Sequence, residues 1–268
     1  MEPPIIEIES LDGWLHTPTG QYLLAWEQAQ LDRVVADLFG FHALQLGMPL
    51  LEGLRANRMP HRWVGSDEVM PGRTDLVLDP TALPFPDQSL DLVVLPHTLE
   101  LSQDPHATLR EVYRVLVPEG KVVVCGFNPA SWWGLRQRWV HTAQRLGMNS
   151  GFLPQAGEFI GYWRLRDWLR LLSFEVEGGR FGCYRPAVDS ERWLHRFAWM
   201  DPAGDRWWPI FGAVYLLVGV KRVPGMRLIG PGWKTARARG AQAVPSASSG
   251  RVSPLAEFNG SVPPESKE

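Results

Sequence analysis

The sequence predicts an α/β domain built on a central, mostly parallel sheet, and three observations predict it. Leu90 to Leu95 is a nearly continuous apolar run, as a strand covered by helices on both faces requires. Leu109, Val112, Tyr113 and Leu116 recur at three and four residues, one face of a helix, with Asp104 placed to cap it and Pro105 to begin it. Pro118-Glu119-Gly120 stops that helix, and Lys121 to Cys125 resumes the buried-strand pattern. Strand, helix and strand in this order imply parallel pairing through right-handed crossovers.

The remaining elements follow in order. Thr19 to Phe39 carries Leu23, Leu24, Leu31, Val34, Val35 and Leu38 near helical spacing, and Gly40 ends that helix. His42 to Gly47 reads as a strand, Leu50 to Arg58 as a helix, Arg62 to Gly65 as a second strand and Leu76 to Leu78 as a third. Leu165 to Leu172 is helical, Phe174 to Val176 is a strand, and Ala213 to Val220 is a strong strand closed by Lys221 and Arg222. A parallel sheet collects its functional residues at the carboxyl ends of its strands. Gly47, Asp67, Asp79, His97 and Phe127 are therefore expected on one edge.

Composition narrows the function. The 268 residues carry a net charge of −2, so no global field points to nucleic acid or an acidic membrane. Two cysteines, Cys125 and Cys183, make no disulfide framework and suit a reducing cytoplasm. The sequence has no apolar run long enough to cross a membrane and no signal-peptide pattern at Met1. No clustered Cys/His pattern suggests a metal, and no catalytic triad or phosphate loop is visible. Nine of the thirteen tryptophans fall between Trp132 and Trp208; a packed aromatic core is the first expectation for most of them. Residues 240–268 are rich in Gly, Ala, Ser and Pro and are expected to lack a fold of their own. The domain is therefore placed at 19–222, with an extension at 1–18 and a basic linker and tail at 223–268.

Two segments carry a family resemblance. Leu83 to Val94, and Leu109 to Lys121 with Glu111, Arg114, Pro118 and Gly120 in place, resemble in order and spacing the class I S-adenosylmethionine-dependent methyltransferases. The type 11 and quinone-biosynthesis methyltransferases are the familiar members of that group. The resemblance implies a Rossmann-like sheet, mostly parallel with an antiparallel last strand (Ala213 to Val220), helices on both faces, and S-adenosylmethionine as cofactor. It covers Leu76 to Asn128 closely and extends weakly to Leu44 and Arg222.

Carried over residue by residue, the resemblance places the cofactor against Gln45, Gly47, Asp67, Asp79, Ala82, Leu83 and Pro96. Asp67 takes the place of the acid that meets the ribose diol, and a carboxylate is a good double acceptor for it. Asp79 takes the place of the acid near the adenine amino group, and Ala82 and Leu83 flank the ring. Three departures stand out. Gln45 replaces an acid, Pro49 and Leu51 replace glycines whose freedom of φ the family uses, and only Glu68 to Asp75 fill the space of a helix. Gly47, Asp67 and Asp79 also have plain readings as turn or strand-end residues, and Asp91 reads as a turn residue.

His97 is the candidate base for an acceptor hydroxyl or amine; the competing reading is a structural histidine with both nitrogens satisfied. Trp132 to Trp139 reads first as a helix packed on the sheet. The alternatives are an aromatic lid over the acceptor pocket or a basic and aromatic patch making peripheral membrane contact. The expected activity is methyl transfer to a small-molecule acceptor. A non-catalytic relative acting as a binding or regulatory module is the second reading, and a dinucleotide-binding oxidoreductase a weaker third.

Overall fold

The computed structural model describes residues 11–145, 159–188 and 190–223. The chain divides into a unit Met1–Gly225 and a second, Met226–Glu268; the second, with the expected basic segment and tail, lies outside the described residues. In chain order the elements are α1 (Leu11–Leu15), α2 (Pro18–Val35), β1 (His42–Leu46), β2 (His61–Ser66), β3 (Leu76–Val77), β4 (Leu90–Pro96), α3 (Thr98–Leu101) and α4 (Pro105–Val115). There follow β5 (Leu116–Phe127), α5 (Trp132–Arg145), α6 (Tyr162–Leu171), β6 (Phe174–Gly182), α7 (Glu191–Arg196), α8 (Met200–Trp207), a 3₁₀ turn (Pro209–Phe211) and β7 (Val214–Lys221).

The strands form one sheet in the order β3-β2-β1-β4-β5-β7-β6. β1 pairs parallel with β2 and β4, β2 with β3, and β4 with β5. β7 runs antiparallel to both its neighbours, β5 and β6. This is the mostly parallel sheet with an antiparallel last strand that the resemblance implies.

Alternation along the strands divides the core in two. Ala43, Leu92, Val94 and Val123 face α1 and α2, packing with Trp14, Leu23 and Leu31. Leu44, Val93, Leu95 and Val124 face α4 and α6, packing with Leu109, Val112, Leu165 and Leu169. Trp14 and Leu15 are fully buried, so the core begins ahead of Thr19. Asp104 caps α4 through the Ala107 amide, with Pro105 in the first turn. Asp91 accepts from the Phe41 and His42 amides, so it holds the start of β1, in line with its reading as a turn residue.

Four expectations need correction. The helix at Leu50 to Arg58 does not form: the chain runs there in turns, with the amides of Leu51, Arg55 and Asn57 each donating three residues back and Gln45 holding the Leu51 carbonyl and the Gly53 amide. α2 stops at Val35 rather than near Phe39, and Gly40 instead lies where a Cβ would strike Asp91. The Pro118-Glu119-Gly120 turn is absorbed into β5 as an irregularity in its pairing with β4, Glu119 adopting φ +66°. The packed tryptophan core is overturned: of the nine tryptophans between 132 and 208, seven are exposed and only Trp133 is buried. Trp168, partly buried, packs against the core layer of α4 and α6.

Candidate functional site

Gly47, Asp67, Asp79 and His97 each follow the carboxyl end of a parallel strand, and Phe127 ends β5. The sheet therefore brings them to one edge, as its topology dictates. Gly47 has φ +78°, and a Cβ there would lie 3.2 Å from the Thr98 hydroxyl. That hydroxyl donates to the Leu46 carbonyl, tying the end of β1 to the start of α3. The Gly47 amide donates to the Gly65 carbonyl at 2.7 Å. Only glycine suits this conformation without strain.

Gln45 does something different from the acid it replaces. It is fully buried. Its amide nitrogen donates to the carbonyls of Gly47 (3.2 Å), Met48 (3.1 Å) and Leu51 (2.7 Å), and its oxygen accepts from the Gly53 amide at 2.9 Å. Such a network is worth most where water is excluded. It draws the loop after β1 onto the sheet, and Met48, Leu51 and Leu54 fill the space beside it. Pro49 and Leu51 thus sit in a loop closed by its own side chains.

The end nearer β3 is open. Asp67 is exposed, and its carboxylate accepts from the Ser66 hydroxyl at 3.2 Å. Asp79 is exposed, and one of its oxygens accepts from the Thr81 amide (2.8 Å) and hydroxyl (2.7 Å). Those two bonds hold its pKa below the ordinary carboxylate value, so it is an anion at neutral pH. Ala82 closes a turn onto the Asp79 carbonyl and is exposed, whereas Leu83 is buried. The Leu83 amide donates to Glu111, and Arg114 donates to the carbonyls of Leu83 and Phe85 and to Asp87. The glutamate and arginine of the motif on α4 therefore fix the loop that carries Ala82 and Leu83.

Pro96 is buried, and His97 is 1% exposed with φ +53°. Its Nδ1 lies 2.8 Å from Glu100 and its Nε2 2.8 Å from Glu27, both carboxylates buried. Burial opposes the charge on the ring, but the two carboxylates outweigh it and push its pKa up to about 10. Burial raises the pKa of Glu100, whose other oxygen accepts from the Phe127 amide at 2.6 Å. The base role expected of His97 does not suit this placement. Both nitrogens are bound, and an imidazolium held to pH 10 takes no proton from an acceptor. The ring packs 4.2 Å from Phe127 and joins α2, β4 and β5 as an ionic rivet.

Glu27 and Glu100 escaped the sequence reading. A signal existed for Glu27: it lies between Leu23 and Leu31 on the apolar stripe of α2, where an acid is buried unless the helix turns.

At the other end of the edge, beyond β5, a groove of about 630 Å³ is lined by Pro129, Ala130, Trp132, Leu135, Arg138, Trp208 and Phe211, with Ser131. α5 and the 3₁₀ turn form its two walls. Asn128 fixes them to each other, donating to the carbonyls of Ile210 (2.8 Å) and Gly212 (2.9 Å). The edge thus offers exposed carboxylates at one end and an apolar groove at the other.

Residues 65–124 match the family model described as methyltransferase domain. The chain is 36% identical over 166 residues to the uncharacterized protein YafS of Escherichia coli, covering 62% of this chain and 65% of that one. It is 43% identical over 54 residues to a demethylmenaquinone methyltransferase of Streptomyces griseus, 20% of this chain and 24% of that protein. A malonyl-[acyl-carrier protein] O-methyltransferase of Halorhodospira halophila matches at 32% over 104 residues, 39% of this chain and 32% of that one. The chain therefore spans just under two thirds of YafS and a third or less of these two methyltransferases. Among solved structures, a SAM-dependent methyltransferase of Thermotoga maritima superposes with a TM-score of 0.52 at 16% identity, over 75% of this chain and 92% of that one. One of Archaeoglobus fulgidus gives 0.51 at 19% identity, over 74% and 94%.

Proposed function

With the class I methyltransferase fold as premise, we propose that this protein transfers a methyl group from S-adenosylmethionine to a small, apolar or aromatic acceptor. The observation that carries the reading is the single edge with Asp67 and Asp79 exposed at one end and the apolar groove at the other. S-adenosylmethionine, when bound, supplies an electrophilic methyl on a sulfonium. The residues present suit its nucleoside half. Asp67 offers an exposed carboxylate to the ribose diol, Asp79 and Ala82 form a turn suited to the adenine edge, and Glu111 with Arg114 holds that loop in place. At the amino-acid half the fit rests on Gly47 and backbone groups, since Gln45 is committed to its own loop.

The acceptor, in this reading, enters the groove between α5 and the 3₁₀ turn. Aligning a nucleophile and excluding water supplies much of the rate in such a transfer, and apolar walls serve both ends. No base from the His97 rivet is required, so acceptors with an already nucleophilic carbon, oxygen or nitrogen are favoured.

The filled loop around Gln45 favours a second reading, a binding module that has given up methyl transfer. Calorimetric titration with S-adenosylmethionine and S-adenosylhomocysteine separates the two. Micromolar binding at unit stoichiometry, weakened at least about tenfold in Asp67→Ala with an unchanged melting temperature, supports the enzyme. Absence of both heat and thermal shift at millimolar ligand, where a bound ligand must stabilise the fold by mass action, supports the module.

A further inference from the structure

The overturned tryptophan core leaves a surface to explain. On α5, Trp132, Leu135 and Trp139 stand at i, i+3 and i+7 and are 66%, 46% and 73% exposed. Trp133 and Gln137 are the buried partners on the inner side of the same helix. Across the groove, Trp208, Ile210 and Phe211 are exposed as well. Trp132 and Leu135 share the groove with Trp208 and Phe211, so the two sets belong to one face. A contiguous exposed apolar patch of this kind marks an interaction site.

The chemistry of the patch selects its partner. α5 contains no aspartate or glutamate, and its charged residues are Arg136, Arg138 and Arg145. Arg138 is exposed and lines the groove. The acids of α8, Asp201 and Asp205, line a different cleft with Arg33 and Arg180, and no acid is among the residues that line the groove. Tryptophan, with an apolar ring and one N–H, is at home at the lipid headgroup level. An aromatic stripe on an acid-free, arginine-bearing helix is the composition of helices that lie in the plane of an anionic bilayer. No helix among the described residues is long and apolar enough to cross a membrane.

We propose that the face formed by α5 and the 3₁₀ turn docks on an anionic phospholipid surface, seating Trp132, Trp139 and Trp208 among the headgroups and opening the groove toward the bilayer. The proposal stands on the surface itself and holds whether or not the chain transfers methyl groups.

The test is co-sedimentation of the full chain with phosphatidylcholine vesicles, with and without about 30% phosphatidylglycerol. Trp132→Ser/Leu135→Ser/Trp139→Ser is compared with the parent protein, and both are measured for tryptophan quenching by brominated lipid. All three side chains are exposed, so the variant is expected to keep its circular dichroism and melting temperature. The expected result is partition onto anionic vesicles, at least about tenfold weaker in the variant, with lipid quenching lost in parallel. Failure of the parent protein to partition onto anionic vesicles would overturn the proposal. So would undiminished partition of the variant, which would place the contact elsewhere in the chain. Self-association of the parent protein that the same three substitutions abolish, without vesicle binding, would assign the face to a second copy and equally refute a lipid partner.

Discussion

Replacing His97 by glutamine removes the one cation from a buried cluster that contains two carboxylates. The ring's pKa rises from an ordinary 6.5 to about 10 on folding. At about 1.4 kcal/mol per unit, the protonated ring contributes on the order of 5 kcal/mol. Removing one partner from a buried ion pair costs about 3–5 kcal/mol, the same order by an independent route. Domains of this size carry about 5–15 kcal/mol in total, so His97→Gln should sit near the margin of folding. The sign of the pH dependence follows from the folded pKa exceeding the unfolded one. The stabilisation is complete below about pH 6.5 and drains away as the pH climbs toward 10. Between pH 7 and 8.5 the parent protein should lose about 2 kcal/mol, a window that stops short of the Cys125 thiol, which burial pushes up from its ordinary 9.0. Urea denaturation at pH 7.0, about 7.75 and 8.5 measures both quantities. Equal midpoints for His97→Gln and the parent, or a parent midpoint that does not fall across the window, would refute the ionic rivet.

Three other outcomes are expected. Gln45→Glu, which restores the acid type of the resembling enzymes, should destabilise by about 3 kcal/mol. It sets a carboxylate against the carbonyls of Gly47, Met48 and Leu51, and a lower melting temperature without tighter cofactor binding checks it. Gly47→Ala should cost about 1–2 kcal/mol through the left-handed backbone, read from the urea midpoint. Asp67→Ala should leave stability within about 0.5 kcal/mol while weakening the calorimetric affinity for S-adenosylhomocysteine.

The fold was legible where buried surface leaves a periodic trace. Leu90 to Leu95 and the Leu109, Val112 stripe name a buried strand and its crossover helix, because both elements are selected for what they cover, while Leu116 falls in β5. The loop after β1 was not legible. Leu50, Leu51 and Leu54 have helix-compatible spacing, and nothing local reveals that a glutamine several residues earlier will hold the Leu51 carbonyl and the Gly53 amide. Tertiary hydrogen bonding overrode propensity there. At the site, the topology rule alone put Gly47, Asp67, Asp79 and His97 on one edge. The partners of His97 lie 70 residues before it in Glu27 and three after it in Glu100, so its state could be read only in three dimensions. The tryptophans misled because hydrophobic residues inside is a tendency of averages, and exposed aromatic rings are themselves the informative case.

The position of β7 also carries a consequence for how the chain is made. β5 is complete once Phe127 has been added, and β6 once Gly182 has, yet the strand that pairs with both begins only at Val214. During synthesis, at about 5–20 residues per second, the row Val122 to Cys125 waits with an open flank beside a half-built core. Pairings this distant in the sequence form late. A polypeptide released before Val214 would present two unmatched flanks at once, so premature termination in this stretch should yield insoluble material rather than a smaller folded protein.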